Sequence, residues 1–460
     1  VAFRCTARSA LAALREDLAG EVLAPEDPGY DAARAVFDGR SDRRPAVIAR
    51  CAGAADVVRA VRFARELDLP VAVRGGGHGL AGTALGDGAL VVDLRRMRGV
   101  AVDPVSRAVR VEGGATTGDL DRAAQPYALA TTGGRAPGTG VGGFVLGGGT
   151  GWLDRAFGPA VDNLLGVELV TADAERVRAN ADENPELFWA LHGGGGNFGV
   201  ATALTLRLHE LPLFCVASLI FRPEHGPRAV RAFREILRTG PGTLGGAVLY
   251  LTGPAADFVP PPLVGRRLCL ALLTCAGPEE ELRGLAGPLL APPHEAQALG
   301  ALPYAEAQCL LDVPAGPRNH GSAECLRALP DDAVDVCHAL GDGPPALAPT
   351  RLALLPLGGA NAAGPHTYPV PYRDAPWIVR PAAGWADPAD DERCLGWVRA
   401  AGAAVRPWST GDVCLDLIGD EGPERVRAGL GAGNTLRLEK VKRRWDPDNV
   451  FRFNHNIEPV

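Results

Sequence analysis

The sequence predicts an α+β fold in two domains, the first of mixed helices and strands around glycine-rich loops, the second an antiparallel sheet covered by helices. Three observations lead there. At 460 residues the chain exceeds what a single hydrophobic core usually serves. Helical and two-residue apolar periodicities alternate as far as about residue 211. Beyond Pro212 the composition shifts, and strand-like runs separated by proline-rich turns replace the glycine-punctuated pattern.

Taken in order, Val57, Val61, Ala64 and Leu67 share one helical face, Pro70 ends that helix, and Val71-Ala72-Val73 starts a strand. Residues 89–94 and 108–112 read as two more strands, and 120–124 as a short helix before a glycine-rich central loop. The runs 167–170 and 203–208 add sheet, with a helical segment at 185–191 between them. After Pro212, residues 221–239 read as a helix and 245–250 and 268–274 as strands, with turns at Pro260-Pro261-Pro262 and Pro292-Pro293. The signal changes again near residue 410. These breaks divide the chain into 1–211, 212–409 and 410–460.

Glycine carries the functional signal. Arg74-Gly75-Gly76-Gly77-His78 follows a strand and sets nearly bare backbone and one imidazole at its exit. Consecutive glycines let peptide N–H groups approach an anionic diphosphate closely. The device recurs at Gly140-Val141-Gly142-Gly143, Gly147-Gly148-Gly149 and Gly193-Gly194-Gly195-Gly196, which points to a large nucleotide cofactor lying across several loops. A nicotinamide dehydrogenase would instead carry one glycine fingerprint opening a helix, with an acidic residue about 20 positions later.

Composition bounds the alternatives. The 47 Lys and Arg are interspersed with 54 Asp and Glu for a formal charge of -7, so no basic stripe marks a nucleic-acid partner. The 59 glycines cluster at motif positions without a three-residue period. Arg4, Arg8, Arg15 and Glu16 interrupt the first 18 residues, against a secretory signal, and no window offers a membrane-spanning apolar run. The ten cysteines are scattered and form no Cys-x-x-Cys pair, which argues against a metal cluster and for a reduced, cytoplasmic chain.

Four segments together resemble the berberine-bridge-enzyme-like group of FAD-linked oxidases. They are 74–78, the stretch 139–149, residues 182–191 with Gly193 to Gly199 behind them, and Trp445-Asp446-Pro447-Asp448-Asn449-Val450-Phe451. The likeness runs from about residue 40 to Ile457 and is weakest in the middle. It implies a split FAD-binding domain around a substrate domain, the C-terminal tail returning to the first part. It also implies a covalent bond from His78 to the flavin 8α-methyl group. Many relatives attach FAD a second time through a cysteine, but Ala136 stands at that position, so attachment through His78 alone is expected.

The resemblance assigns cofactor contacts to Arg74, Gly75, Gly76, Gly77 and His78, to Gly140, Gly142, Gly143, Gly147 and Gly148, and to Asn163, Gly195 and Gly199. Asn197 either meets the flavin or braces its loop. Asn454 and Asn456, two apart, would share one face of an extended tail and both reach the ring, while His455 between them reads as a neighbouring packing or surface group rather than a catalyst.

Family oxidases commonly place a tyrosine base two residues before an asparagine where this chain has Cys414 and Asp416, and a second family tyrosine is replaced by Thr435. If 413–417 is a strand, Val413, Leu415 and Leu417 face the core and Cys414 and Asp416 face substrate. Asp416 is then either a replacement base or a structural carboxylate, and Cys414 either a thiolate base or a pocket-lining group. Tyr368 and Tyr372 are further candidates to bind or deprotonate substrate, and Arg373 either attracts an acidic group or pairs with Asp374 or another carboxylate.

The leading expectation is an FAD-dependent oxidase or dehydrogenase that takes hydride from a small, secondary-metabolite type of organic molecule and passes electrons to dioxygen. Loss of the tyrosines favours a phenol, enol, acidified C–H or amine. The alternatives are a flavin-holding cyclase, isomerase or decarboxylase without net oxidation, and a noncatalytic flavin-binding protein.

Overall fold

Apolar runs with different periods build three main sheets. In this computed structural model, residues 2–256, 258–312, 315–343 and 350–460 are described, the side chains of residues 2–8 (Cys5 among them) excepted. Strands β1 (Glu21–Leu23), β2 (Val47–Arg50), β3 (Val71–Arg74) and β4 (Leu90–Asp93) form the first sheet in the order β1-β2-β4-β3. β4 runs parallel to both β2 and β3 and is buried at every position, as a central parallel strand requires. The helix Ala54–Glu66 lays Val57, Ala60, Val61 and Ala64 into the core beside it.

Strands β5 (Val100–Asp103), β6 (Ala108–Glu112), β7 (Leu129–Ala130), β8 (Leu164–Val170), β9 (Arg176–Ala179), β10 (Val200–Arg207) and β11 (His209–Glu210) follow. Five of them make an antiparallel sheet ordered β5-β6-β10-β8-β9, and β7 pairs with β11.

The third sheet comprises β12 (Phe214–Phe221), β13 (Leu244–Thr252), β14 (Arg267–Cys275), β15 (Ala296–Leu302), β16 (Arg318–Gly321), β17 (Glu324–Leu326), β18 (Thr350–Pro356) and β19 (Trp377–Trp385). Its order is β15-β12-β14-β13-β18-β19-β16, with β17 also on β19, and every pair is antiparallel. Alternation gives it two apolar faces. Val248, Leu354 and Val379 pack under the helices Gly226–Thr239 and Asp331–Asp342. Leu249, Ala353, Leu355 and Ile378 meet Val141, Phe144 and Leu146 from the glycine-rich part. The site lies where the glycine-rich part meets the returning C-terminal segment.

The tail packs back on the first part. Lys442, fully buried on the helix Thr435–Trp445, donates to Asp446 Oδ2 at 2.6 Å and to the carbonyls of Asn197 at 2.9 Å and Phe451 at 3.0 Å. A buried ammonium is tolerable because its three donors are all used. Val71 N–H donates to Val450 O at 3.1 Å, joining the tail to β3.

Three local expectations are corrected. The segment 221–239 is not one helix: Phe221 ends β12 and the helix begins at Gly226. The central glycine stretch contains the helix Val141–Leu146, because Val141, Val145 and Leu146 supply a face to bury. Residues 413–417 form no strand; Leu417 N–H closes onto Cys414 O at 3.1 Å in a 3₁₀ turn over Leu415–Leu417.

Candidate functional site

Between the glycine loops and the returning C-terminal segment lies a cleft of about 270 Å³. It is walled by Gly75, Gly76, Gly77 and His78, by Gly140, Gly142, Gly143 and Gly147, by the run from Gly193 to Gly196 with Asn197 and Gly199, and by Leu415, Asp416, Asn454 and His455. A larger, more charged cleft of about 570 Å³ adjoins it through Leu80 and Ala81, but no residue of these glycine runs reaches it. The chemistry therefore belongs to the smaller cleft.

Close backbone approach explains the glycines. A Cβ on Gly76 would stand 2.4 Å from Gly140 N, and one on Gly140 would stand 2.3 Å from Gly76 N, so any side chain would push these two loops apart. Gly143, Gly195 and Gly196 instead face open space where a side chain would stand. That wall is bare peptide, suited to an extended nucleotide cofactor. The buried Oδ1 of Asn454, which lines the cleft, has no hydrogen-bond partner, leaving an acceptor for a polar ligand. The residues fit FAD.

His78 stacks on Phe37 with ring centroids 4.5 Å apart and 20° between planes. Its Nε2 lies against Gly138, where a Cβ would come within 2.6 Å. Burial lowers its pKa, with Asp312 opposing, so the ring is held neutral.

Asp416 is the one carboxylate lining the cleft among the described residues. The turn at 415–417, not a strand face, puts it there, beside Gly147. It accepts from Cys414 Sγ at 2.9 Å and from Thr150 N–H at 3.3 Å. Burial raises its pKa; the Cys414 thiol, the backbone donors and the Arg135 charge act in the opposite direction. Cys414 is fully buried behind Asp416, and burial together with the Asp416 charge raises the thiol well above its ordinary value. The thiol is thereby held in its protonated form, the donor to Asp416.

Tyr372 is 2% exposed and lies against Gly148, where a Cβ would come within 2.5 Å of its hydroxyl. Gly148 has φ +116, a conformation that favours glycine. The Cys414 thiol sits beside this hydroxyl, but no partner of acceptable hydrogen-bond geometry does. Burial, then Cys414 and Asp416, hold the phenol well above its usual range. Tyr372 and Cys414 thus back Asp416 without lining the cleft.

Other candidates are placed elsewhere. Arg74 turns its guanidinium from the cleft onto the carbonyls of Ala33 and Ala35. Asn163 donates to Phe157 O at 3.1 Å and Pro159 O at 3.3 Å and accepts from His209 Nε2 at 2.6 Å, a purely internal set. Gly148 and Asn456 do not line the cleft. Asn197 donates to Gly194 O at 2.7 Å and His455 O at 3.0 Å and accepts from Ile457 N–H at 2.9 Å, so its amide braces loop to tail. Arg373 pairs with Asp162 rather than Asp374, through two guanidinium nitrogens. Tyr368 stacks on His192 at 3.9 Å.

His455 lines the cleft and packs there, donating from Nε2 to Leu415 O at 3.1 Å. The tail bends at 453–455 instead of running extended, so alternation fails there and Phe453, Asn454 and His455 all reach the cleft.

Residues 45–180 match the family model described as FAD binding domain, and residues 423–458 match the one described as berberine and berberine like. (R)-6-hydroxynicotine oxidase of Paenarthrobacter nicotinovorans is 44% identical over 201 residues, a stretch that is 44% of this chain and 44% of that enzyme. The FAD-linked oxidoreductase YgaK of Bacillus subtilis (strain 168) is 28% identical over 96% of this chain and 98% of its own length. Among solved structures, 6-hydroxy-D-nicotine oxidase from Arthrobacter nicotinovorans superposes with a TM-score of 0.85 at 28% identity, covering 96% of this chain and 98% of that one. BBE-like 1 of Physcomitrella patens gives 0.86 at 21% identity over 99% of both chains, a likeness of fold. Glycine-walled cleft, returning tail and these matches agree: the chain is an FAD-dependent oxidoreductase of the berberine-bridge-enzyme-like family, with its two-domain α+β fold.

Proposed function

We propose that this protein oxidises a small organic molecule of the secondary-metabolite type, with FAD held covalently through His78 alone and Asp416 as the proton acceptor. The observation that carries the reading is that Asp416 is the one carboxylate lining the glycine-walled cleft among the described residues. Bound there, FAD supplies the two-electron acceptor, and dioxygen takes the electrons onward to hydrogen peroxide.

Asp416 receives the proton that leaves the substrate heteroatom or activated carbon. A buried carboxylate is a stronger base than one in water, and the Cys414 and Thr150 hydrogen bonds aim it while partly opposing the rise that burial causes. Tyr372 and Cys414 hold that turn in place. His78 supplies a neutral imidazole, the nucleophilic form, and no described cysteine lines the cleft to offer a second attachment. Relatives are named for hydroxynicotine and for glucooligosaccharide substrates. The carboxylate base favours a phenol, enol, amine or acidified C–H, whose proton such a base can accept.

The test is anaerobic mixing of the purified protein with phenolic, polyketide, alkaloid and sugar compounds. Bleaching of the flavin by one class, followed by stoichiometric peroxide on aeration, supports the reading. Product formation without bleaching or peroxide would reject it in favour of cyclisation, isomerisation or decarboxylation.

A further inference from the structure

Buried arginines in this protein are generally satisfied by internal acceptors. Arg155 donates to the carbonyls of Leu244, Leu357 and Leu237, Arg267 to those of Thr350 and Gly341, and Arg373 to the Asp162 carboxylate. Arg351 and Arg380 depart from this pattern. The side chain of neither has a hydrogen bond or ion pair among the described residues; Arg380 Nε is buried without a partner, as Arg267 Nε and Arg373 Nε are, but those two spend their other guanidinium nitrogens on internal acceptors. Leaving a half-buried guanidinium without an acceptor costs part of its hydration.

Their placement is specific. β18 and β19 are adjacent, with Arg351 opposite Ala382 and Ala353 opposite Arg380, which makes the two arginines diagonal neighbours on one sheet face. That face is the one carrying Ala353, Leu355 and Ile378 toward the FAD-binding part; Leu352, Leu354 and Val379 point the other way. Both arginines are half-buried. Burial pushes Arg380 down to about 9, with the Arg351 and Arg135 charges acting in the same direction and that of Asp416 against it. Neither arginine lines the glycine-walled cleft itself, but the Asp416 charge acts on Arg380. Burial also lowers Arg351. Arg135 does not neutralise the pair: it donates to Thr150 O and Gly151 O and lies 3.7 Å from Asp154.

We propose that Arg351 and Arg380 form an anion-binding subsite that anchors a carboxylate of the substrate while its reacting end faces Asp416. The inference rests on the oxidoreductase reading above and narrows it to acidic substrates. A planar guanidinium fork matches a carboxylate through two parallel hydrogen bonds, and two such forks on neighbouring strands give a fixed, low-entropy anchor.

The experiment is calorimetric titration of the flavin-loaded protein with benzoate and with its neutral isostere benzamide. Benzoate is expected to bind saturably and benzamide at least tenfold more weakly. Arg351→Gln and Arg380→Gln should each weaken benzoate at least tenfold while leaving flavin content and benzamide binding unchanged. Where a glutamine variant fails to load flavin, the lysine variant keeps the charge and loses the fork, and it should bind benzoate several-fold more weakly. Equal affinity for benzoate and benzamide, unchanged benzoate affinity in the variants, or stronger binding of inorganic phosphate than of benzoate would each overturn the assignment. Calorimetry reads the anchor independently of turnover, so a protein that binds benzoate yet bleaches with no substrate would refute the oxidoreductase reading and leave the subsite standing.

Discussion

Cys414 donates its thiol hydrogen to Asp416 Oδ1 at 2.9 Å across a single 3₁₀ turn, and the carboxylate so held is the acidic group lining the glycine-walled cleft. A charged acceptor aimed by a fixed donor is what proton abstraction requires. Asp416→Asn keeps the shape and removes the charge. It should retain flavin and slow the reductive half-reaction by roughly 10²-fold or more. Cys414→Ser, which keeps a donor at the same place, should be far milder. Rapid mixing under anaerobic conditions measures both; an unchanged rate in the asparagine variant would remove Asp416 from the chemistry.

The pH profile follows from the same pair. Burial raises the Asp416 pKa above the ordinary carboxylate value. The base works only when deprotonated, so kcat/KM should rise with pH through a limb lying above about 4, the reference for a free aspartate. Cys414→Ala removes a hydrogen bond that favours the ionised form and should move that limb upward. A limb at the same pH in both proteins would show that another group titrates.

Arg373 and Asp162 join the substrate-side turn Pro371–Asp374 to the loop before β8, with the arginine side chain fully buried. Removing one partner strands a buried charge. Arg373→Met should cost about 3–5 kcal/mol in stability, and adding Asp162→Asn should recover part of the loss. Denaturant unfolding of the single and double variants measures this; additive losses would contradict a direct pair.

His192 is 1% exposed, donates from Nδ1 to Phe188 O at 2.6 Å, and is pushed down to about 4 by burial. The folded ring stays neutral where the unfolded one, near 6.5, takes up a proton. Stability from this group is therefore present above about 6.5 and is lost as pH falls toward 4, by about 3 kcal/mol. Unfolding free energies at pH 7 and pH 4.5 should differ less in His192→Gln than in the native protein.

Legibility in the sequence followed the range of the signal. The glycine loops and His78 could be read because each is a dense local motif, and their convergence on one cleft is visible in the loop contact between Gly76 and Gly140. The helix Ala54–Glu66 and strands β13 and β14 were readable because their apolar periods run long enough to exclude alternatives. The five residues 413–417 were too few to separate a strand from a turn, and with Val413, Cys414 and Leu415 all buried the alternation argument failed. Arg74 and Asn163 lie within the motifs but spend their side chains on carbonyls brought close only by folding. His455 turned out to line the cleft because the tail bends, a feature with no local signature. Arg351 and Arg380 were missed although each shares parity with apolar core positions of its strand, a pattern that marks an inward charge once the sheet face is known.

The central claim is that this cleft holds FAD by one covalent bond from His78. Mass measurement of the acid-denatured protein and of its peptides tests it most directly. The account predicts a single FAD adduct, located on His78, and extractable flavin in His78→Ala. Unmodified FAD released by acid, or an adduct on any cysteine, would contradict it.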